Sequence, residues 1–266
     1  MPIRLCSGLP RRHTGAMRQH PARSTMLERG ISILQAFRPQ GGTMTLPLLV
    51  ERTGLPKPTV HRLVEALVEL GLLERQPVGY RPGMALFELG ELVSAKVEIR
   101  EVALPFMQDL YERTHHTVHL GVRDGLDVVY AEKIHGHRSV EVPSRVGGRL
   151  PMSSTSLGKA LLAFAPAEVV ESVLRKPLRR LTANSLGDPA KLAAELAEVR
   201  AAGVAYDYEE AALGATCVAS PVLVEGRVVA ALSLTCPAQQ FSAAGFAPMV
   251  RTVGMALSRA LAAHPR

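Results

Sequence analysis

A chain of 266 residues that is 47% hydrophobic can bury one or two sizeable cores, and its length favours two domains. It shows no apolar run near the ~20 residues of a membrane span and no secretory signal after Arg11-Arg12. Its three cysteines (Cys6, Cys217, Cys236) lack zinc-type pairing, so the expected setting is a reducing cytoplasm, away from any membrane. The net charge of +7 is lopsided: residues 1–82 hold 12 Lys and Arg against 5 Asp and Glu, and residues 83–266 hold 19 against 19, as suits a polyanion-binding module joined to a neutral one.

Residues 1–24 carry five Arg and no acid, with no periodicity and several Gly, Pro and Ser, and are expected to form a disordered basic leader. It is either an arm that grips DNA nonspecifically or an extension from a start codon assigned too early, since Met17 and Met26 follow. Thr25 and Glu28 then have capping-box spacing, and Leu27, Ile31, Leu34 and Phe37 continue a helical stripe.

From Thr45 to Leu73 the chain reads TLPLLVERTGLPKPTVHRLVEALVELGLL. Leu46, Leu49 and Val50 make one buried stripe behind a Thr45 cap; Gly54 ends that helix, and Val60, Leu63, Val64, Leu67 and Leu70 make a second stripe. Lys57, Thr59, His61 and Arg62 occupy the polar start of the second helix. Two short helices and a Gly turn also describe a plain helical hairpin. The next segment favours a winged helix-turn-helix over 25–82: Leu72 to Glu74 and Tyr80 to Arg81 read as strands around Gln76-Pro77-Val78-Gly79. In such a module the polar helix end enters the major groove, where Lys and Arg reach guanine edges or phosphates.

Met84 to Ala95 is predicted to be a helix with Leu86, Leu89, Leu92 and Val93 on one side, the core of a linker over 83–97. Val102, Phe106, Leu110 and Tyr111 continue a helix to Thr114, bent at Pro105. From Thr117 the period drops to two: Val118, Leu120 and Val122 alternate with His119 and Gly121, and Asp124-Gly125 signals a hairpin whose return strand is 127–134. Further on come helices over 157–164 and 189–202, strands over 204–208, 216–224 and 227–235, and a last helix from about Pro248 to Ala263. Antiparallel strands among helices make an α+β domain over 98–264.

Four stretches hold residue types that could carry chemistry. His115 and His119, read as one strand, would stand about 13 Å apart at ~3.3 Å per residue, too far to share a metal with His116. Gly158-Lys159 lacks the earlier Gly and the following Ser or Thr of a phosphate loop, having Ser153 and Ala160 there. Cys217 sits in no nucleophile signature, and Asp207, Glu209 and Glu210 read as a solvated acidic loop, so no enzyme is expected and no cofactor. Ser153-Ser154-Thr155-Ser156 gathers hydroxyls at a helix N-terminus, which is either ordinary capping or an anion site.

The motifs GLPKPTVHRLVEALVELGLLER, YRPG and LFELG resemble the N-terminal domain of the IclR-type (isocitrate lyase regulator) family of bacterial transcription regulators. GGRLPMSSTSLGKALLA, GVAYDYEEAALGATCVASPV and VVAALSLTCP resemble that family's effector-binding domain, in the same order, so the resemblance spans Met26 to Leu261. It implies a GAF-like second domain that holds a small organic acid, with the Ser156 and Leu157 amides on the carboxylate and Asp207, Cys217, Ser233 and Thr235 as further contacts. Leu150 and Met152 would line the apolar wall. Pro58 stands where the family has Ser, and Thr235 replaces a usual Ser. The resemblance also implies a homodimer or tetramer on double-stranded, palindromic operator DNA, read by Lys57, Thr59, His61 and Arg62 with Arg81 on the wing. With 4% aromatic residues and no Trp, an aliphatic acid is favoured. The alternative is a small-molecule sensor whose basic module binds protein or RNA.

Overall fold

The computed structural model describes residues 24–38, 42–92, 94–137 and 139–264, so all but the last residue of the expected leader lies outside it. The chain divides into two units at Gly90/Glu91.

In the first unit, helix α1 (Met26–Ala36) starts on a complete capping box: Thr25 Oγ1 accepts from Glu28 N–H at 3.2 Å, and the Glu28 carboxylate accepts from Thr25 N–H at 2.7 Å. Its buried side chains are Ile33 and Ala36, with Phe37 just beyond, whereas Leu27 and Ile31 of the expected stripe are exposed. The helix carries apolar residues on two faces, and periodicity alone does not say which face meets the core. Helices α2 (Leu46–Thr53) and α3 (Lys57–Glu69) follow, α2 ending on Gly54 at φ +66, the left-handed conformation that glycine adopts without strain. Leu49, Val60, Leu63, Val64 and Leu67 are buried together. Leu70, counted into that stripe, is exposed because α3 ends at Glu69 and the chain turns away at Gly71.

Strands β1 (Leu73–Gln76) and β2 (Gly79–Pro82) form an antiparallel wing around Pro77-Val78. Met44 pairs with Tyr80 through two backbone hydrogen bonds of 2.8 Å, tying the wing to the segment before α2. An Arg75–Glu65 ion pair ties it to α3. Helix α4 (Met84–Glu91) stops four residues short of its predicted end; Gly90, a poor helix former, lies in its last turn.

The second unit opens on α5 (Ser94–Thr114), which runs through Pro105, and is built on six antiparallel strands. They are β3 (Thr117–Asp124), β4 (Asp127–Ile134), β5 (Arg149–Pro151), β6 (Ala205–Tyr208), β7 (Ala215–Val224) and β8 (Arg227–Pro237), in the order β5-β4-β3-β8-β7-β6. One face carries α5 and α9 (Ala243–Ala263) over Val118, Leu120, Val218 and Leu232. The other carries α6 (Ser156–Ala163), backed by α7 (Ala167–Leu174) and α8 (Pro189–Ala202). Covering both faces buries most of β3, β7 and β8, and the α+β architecture holds. Helix α9 starts at Ala243, capped by Ser242 Oγ, five residues before the expected start at Pro248. Neither α7 nor β5 was predicted. His115 caps α5 at φ +54 instead of lying in a strand, and no group of three or more His, Cys, Asp or Glu among the described residues could hold a metal. No helix there is long and apolar enough to cross a membrane.

Candidate functional site

The first unit presents the start of α3 to solvent. Pro56 occupies the cap position and Pro58 falls in the first turn, where amides lack helical acceptors in any case. Lys57, His61 and Arg62 are exposed and Thr59 is half-buried, because the opposite face packs Val60, Leu63 and Val64 into the core. Arg81 lies across the wing from Glu74 and pairs with it at 2.6 Å. An exposed pair of that kind contributes at most ~1 kcal/mol.

In the second unit β3, β6, β7 and β8 converge with α6 on a cavity of about 20 Å3. Thr155 caps α6: its Oγ1 accepts from Gly158 N–H at 3.1 Å, leaving Ser156 and Leu157, the first two amides of the helix, without helical acceptors. Both residues line the cavity with Leu150, Asp207, Cys217, Ser233 and Thr235. Met152 does not: it is buried in the core beside α6. Gly121 on β3 makes room for this approach, since a Cβ there would stand 3.0 Å from Leu157 Cδ1.

Asp207 and Glu210 are not the solvated acids the sequence suggested; they are 1% and 5% exposed. Asp207 Oδ1 accepts from Glu210 N–H at 2.7 Å, yet burial raises the Asp207 carboxyl to about 7. Burial likewise pushes the Cys217 thiol well up, which disarms it as a nucleophile. Behind the cavity, fully buried Lys159 donates from Nζ to Glu210 Oε1 at 2.5 Å, Glu195 Oε1 at 2.7 Å and the Tyr206 carbonyl at 3.1 Å.

Sequence reasoning missed His119, Tyr130 and Ser144, which also line the cavity. The period-two alternation of β3 was a signal for the first: Val118, Leu120 and Val122 belong to the α5–α9 face, so His119 must point to the α6 face. Ser144 lies in the irregular segment between β4 and β5, where no periodicity marks it.

Comparison with known proteins agrees with this division. Residues 26–77 match the IclR helix-turn-helix domain, and residues 92–259 match the bacterial transcriptional regulator IclR C-terminal domain. The chain is 36% identical over 242 residues to the HTH-type transcriptional regulator XynR of Escherichia coli, covering 88% of this chain and 96% of that one. It is 31% identical to the HTH-type transcriptional repressor AllR of Klebsiella pneumoniae, covering 90% and 91%. Among solved structures, an IclR homolog from Microbacterium hydrocarbonoxydans complexed with 4-hydroxybenzoate matches with a TM-score of 0.83 at 34% identity, covering 90% of this chain and 100% of that one. The Thermotoga maritima IclR matches with a TM-score of 0.73 at 29% identity, covering 89% and 98%. The chain therefore belongs to the IclR family of transcriptional regulators, with an N-terminal helix-turn-helix DNA-binding domain and a C-terminal ligand-binding domain.

Proposed function

We propose that the protein switches transcription of a metabolic operon by binding a small organic acid in the cavity of its second unit and a palindromic operator through its first. The observation that carries this reading is the start of α6 opening into a cavity shared with Asp207, Cys217, Ser233 and Thr235. Unpaired amides and the helix dipole favour a carboxylate there. The organic acid bound by the Microbacterium hydrocarbonoxydans homolog supports the ligand class. The acid favours one arrangement of the units over another, coupling the two sites by ~1–3 kcal/mol.

A second copy of the chain completes the reading. None of the eight residues of α4 is buried, and Met84, Phe87 and Leu89 stand exposed, as do Leu27 and Ile31 on α1. Apolar surface of that extent marks an interface, and a homodimer sets two α3 helices about one helical turn apart on the operator.

Arg62→Ala tests the DNA face. Its guanidinium reaches the Met26 sulfur at 3.8 Å on the surface, so the fold survives its loss. By fluorescence anisotropy on the DNA upstream of its own gene, affinity is expected to fall by ~1–3 kcal/mol relative to wild type, with scrambled DNA as reference. Unchanged affinity removes Arg62 from the interface.

The raised Asp207 carboxyl gives the cavity a pH dependence. Between about pH 4 and about pH 7 the folded protein keeps a proton that the unfolded chain has lost, so this group's contribution to stability declines across that window and then levels. An ionised Asp207 also repels an incoming carboxylate. Affinity for the acid, followed by calorimetry, is expected to fall from pH 6 to pH 8, and Asp207→Asn to flatten the profile; a profile the variant leaves unchanged assigns the titration to another group.

A further inference from the structure

A directed chain of hydrogen bonds crosses the cavity floor. Lys133 Nζ can only donate, and it donates to Ser144 Oγ at 3.2 Å and to the Ser144 carbonyl at 2.9 Å. The Ser144 oxygen has a second lone pair, so it is Thr235 that sets the direction: its hydroxyl donates to Cys217 Sγ, its Oγ1 therefore accepts from His119 Nδ1–H, and Nε2 is left to accept from the Ser144 hydroxyl 2.8 Å away. Nδ1–H faces Thr235 Oγ1 at 3.4 Å, and Thr235 passes its own proton to Cys217 Sγ at 3.1 Å. His119 is 2% exposed, and burial together with Lys133 and His135 lowers its pKa to about 3, so the ring stays neutral and the polarity holds through the physiological range.

The cavity this chain crosses is too small for an organic acid. About 20 Å3 admits one water, so a wall must move before an acid of five or more heavy atoms can enter. Strands supply half of the wall, and the start of α6 supplies part of the rest. Val142, Pro143 and Ser144 belong instead to the segment between β4 and β5, which lies outside any helix or strand, and the side chain of Ser144 ties it down through His119 and Lys133.

We propose that His119 is a specificity-determining residue for the effector: its Nε2 accepts a hydroxyl proton from the bound acid in place of the one from Ser144, so that the preferred effectors are hydroxy acids. The α6 amides hold the carboxylate, the hydroxyl takes the place of Ser144 at His119, and the Val142–Ser144 wall moves outward to make the volume. An acid without the hydroxyl leaves the Ser144–His119 bond in competition with its own entry. This inference rests on the organic-acid reading above.

The test is titration calorimetry of the full-length protein with glycolate, 3-hydroxypropanoate, 4-hydroxybutanoate and 4-hydroxybenzoate, each against the parent acid lacking the hydroxyl. At least one hydroxy acid is expected to bind about tenfold more tightly than its parent. His119→Phe should shrink that preference, read as the ratio of the two dissociation constants in the variant, to within about twofold. Ser144→Ala should tighten the hydroxy acid and its parent alike and keep the preference between them, because neither then has to break the Ser144–His119 bond. Parent and hydroxy acids binding alike to the wild type, or a preference that survives His119→Phe, would overturn the proposal. Should the phenylalanine variant not fold, Ser144→Ala decides: affinities left untightened, or a preference that disappears with Ser144, count against it. Acids that bind without regard to the hydroxyl refute only the role of His119, whereas binding of none of the eight refutes the organic-acid reading as well.

Discussion

Lys159→Met is expected to destabilise the second unit by about 3–5 kcal/mol, the usual consequence of removing one partner from a buried ion pair. The ammonium is fully buried and meets two carboxylates and a carbonyl; methionine fills much of the space and none of the charge. Glu210 then stays buried with one weak donor, Leu186 N–H at 3.4 Å. Burial already raises the Glu210 carboxyl despite Lys159, so without the lysine it folds best as the neutral acid. The variant should therefore be less unstable at pH 5 than at pH 8, and Glu210→Gln in the same chain should restore much of the loss. Glu195 is more exposed, at 27% of its side chain, and Glu195→Gln should be much milder. Urea unfolding of the four proteins measures this directly, and a loss below about 1 kcal/mol for Lys159→Met would show that the charges contribute little. Acid binding reports on the same network, because Glu210 N–H holds the carboxylate of Asp207 in the cavity wall.

That network marks the limit of what the sequence made legible. The helix-turn-helix could be read because its determinants are local: stripes spaced three and four apart, a cap at Thr45 and a glycine whose φ of +66 no other residue adopts as easily. Hydroxyls before an apolar helix likewise located α6. The partners of Lys159 lie 36 and 51 residues away, and nothing in the run Asp207-Tyr208-Glu209-Glu210 announces that its first and last acids face inward. Boundaries failed where two signals competed. Pro248 looked like the first turn of α9, but Ser242 caps the helix and the proline is accommodated inside it. Leu27 and Ile31 fitted a helical period as well as Ile33 and Phe37 do; the choice of face belongs to tertiary packing. The six residues that the resemblance names for polar or backbone contacts line one cavity, whereas Met152, named for its wall, lies in the core.

Gly158→Ala is expected to have an effect of opposite sign to the ordinary one. Glycine to alanine inside a helix usually stabilises by about 1 kcal/mol, since alanine restricts the unfolded chain and favours helical backbone. At Gly158 an added Cβ would stand 2.6 Å from the carbonyl carbon of Met152, with the Met152 Cα and carbonyl oxygen closer still. Those atoms are backbone, in the tight turn Met152–Ser154 that leads into α6, and no rotamer relieves them. Either α6 slides off the turn or the turn opens, and both displace the Ser156 and Leu157 amides that face the cavity. A loss of about 3 kcal/mol is expected, at the upper end of the range for overpacking a buried site. Acid binding should vanish while operator affinity without acid persists, because the first unit keeps its own core. Gly90→Ala in α4 provides the reference: a Cβ there meets nothing within 4 Å, and that variant should gain about 0.5–1 kcal/mol. Thermal unfolding of the two alanine variants decides between the readings. Equal shifts would mean that the helix, not the backbone contact, sets the role of Gly158; opposite shifts would show that the glycine is required for α6 to reach the cavity.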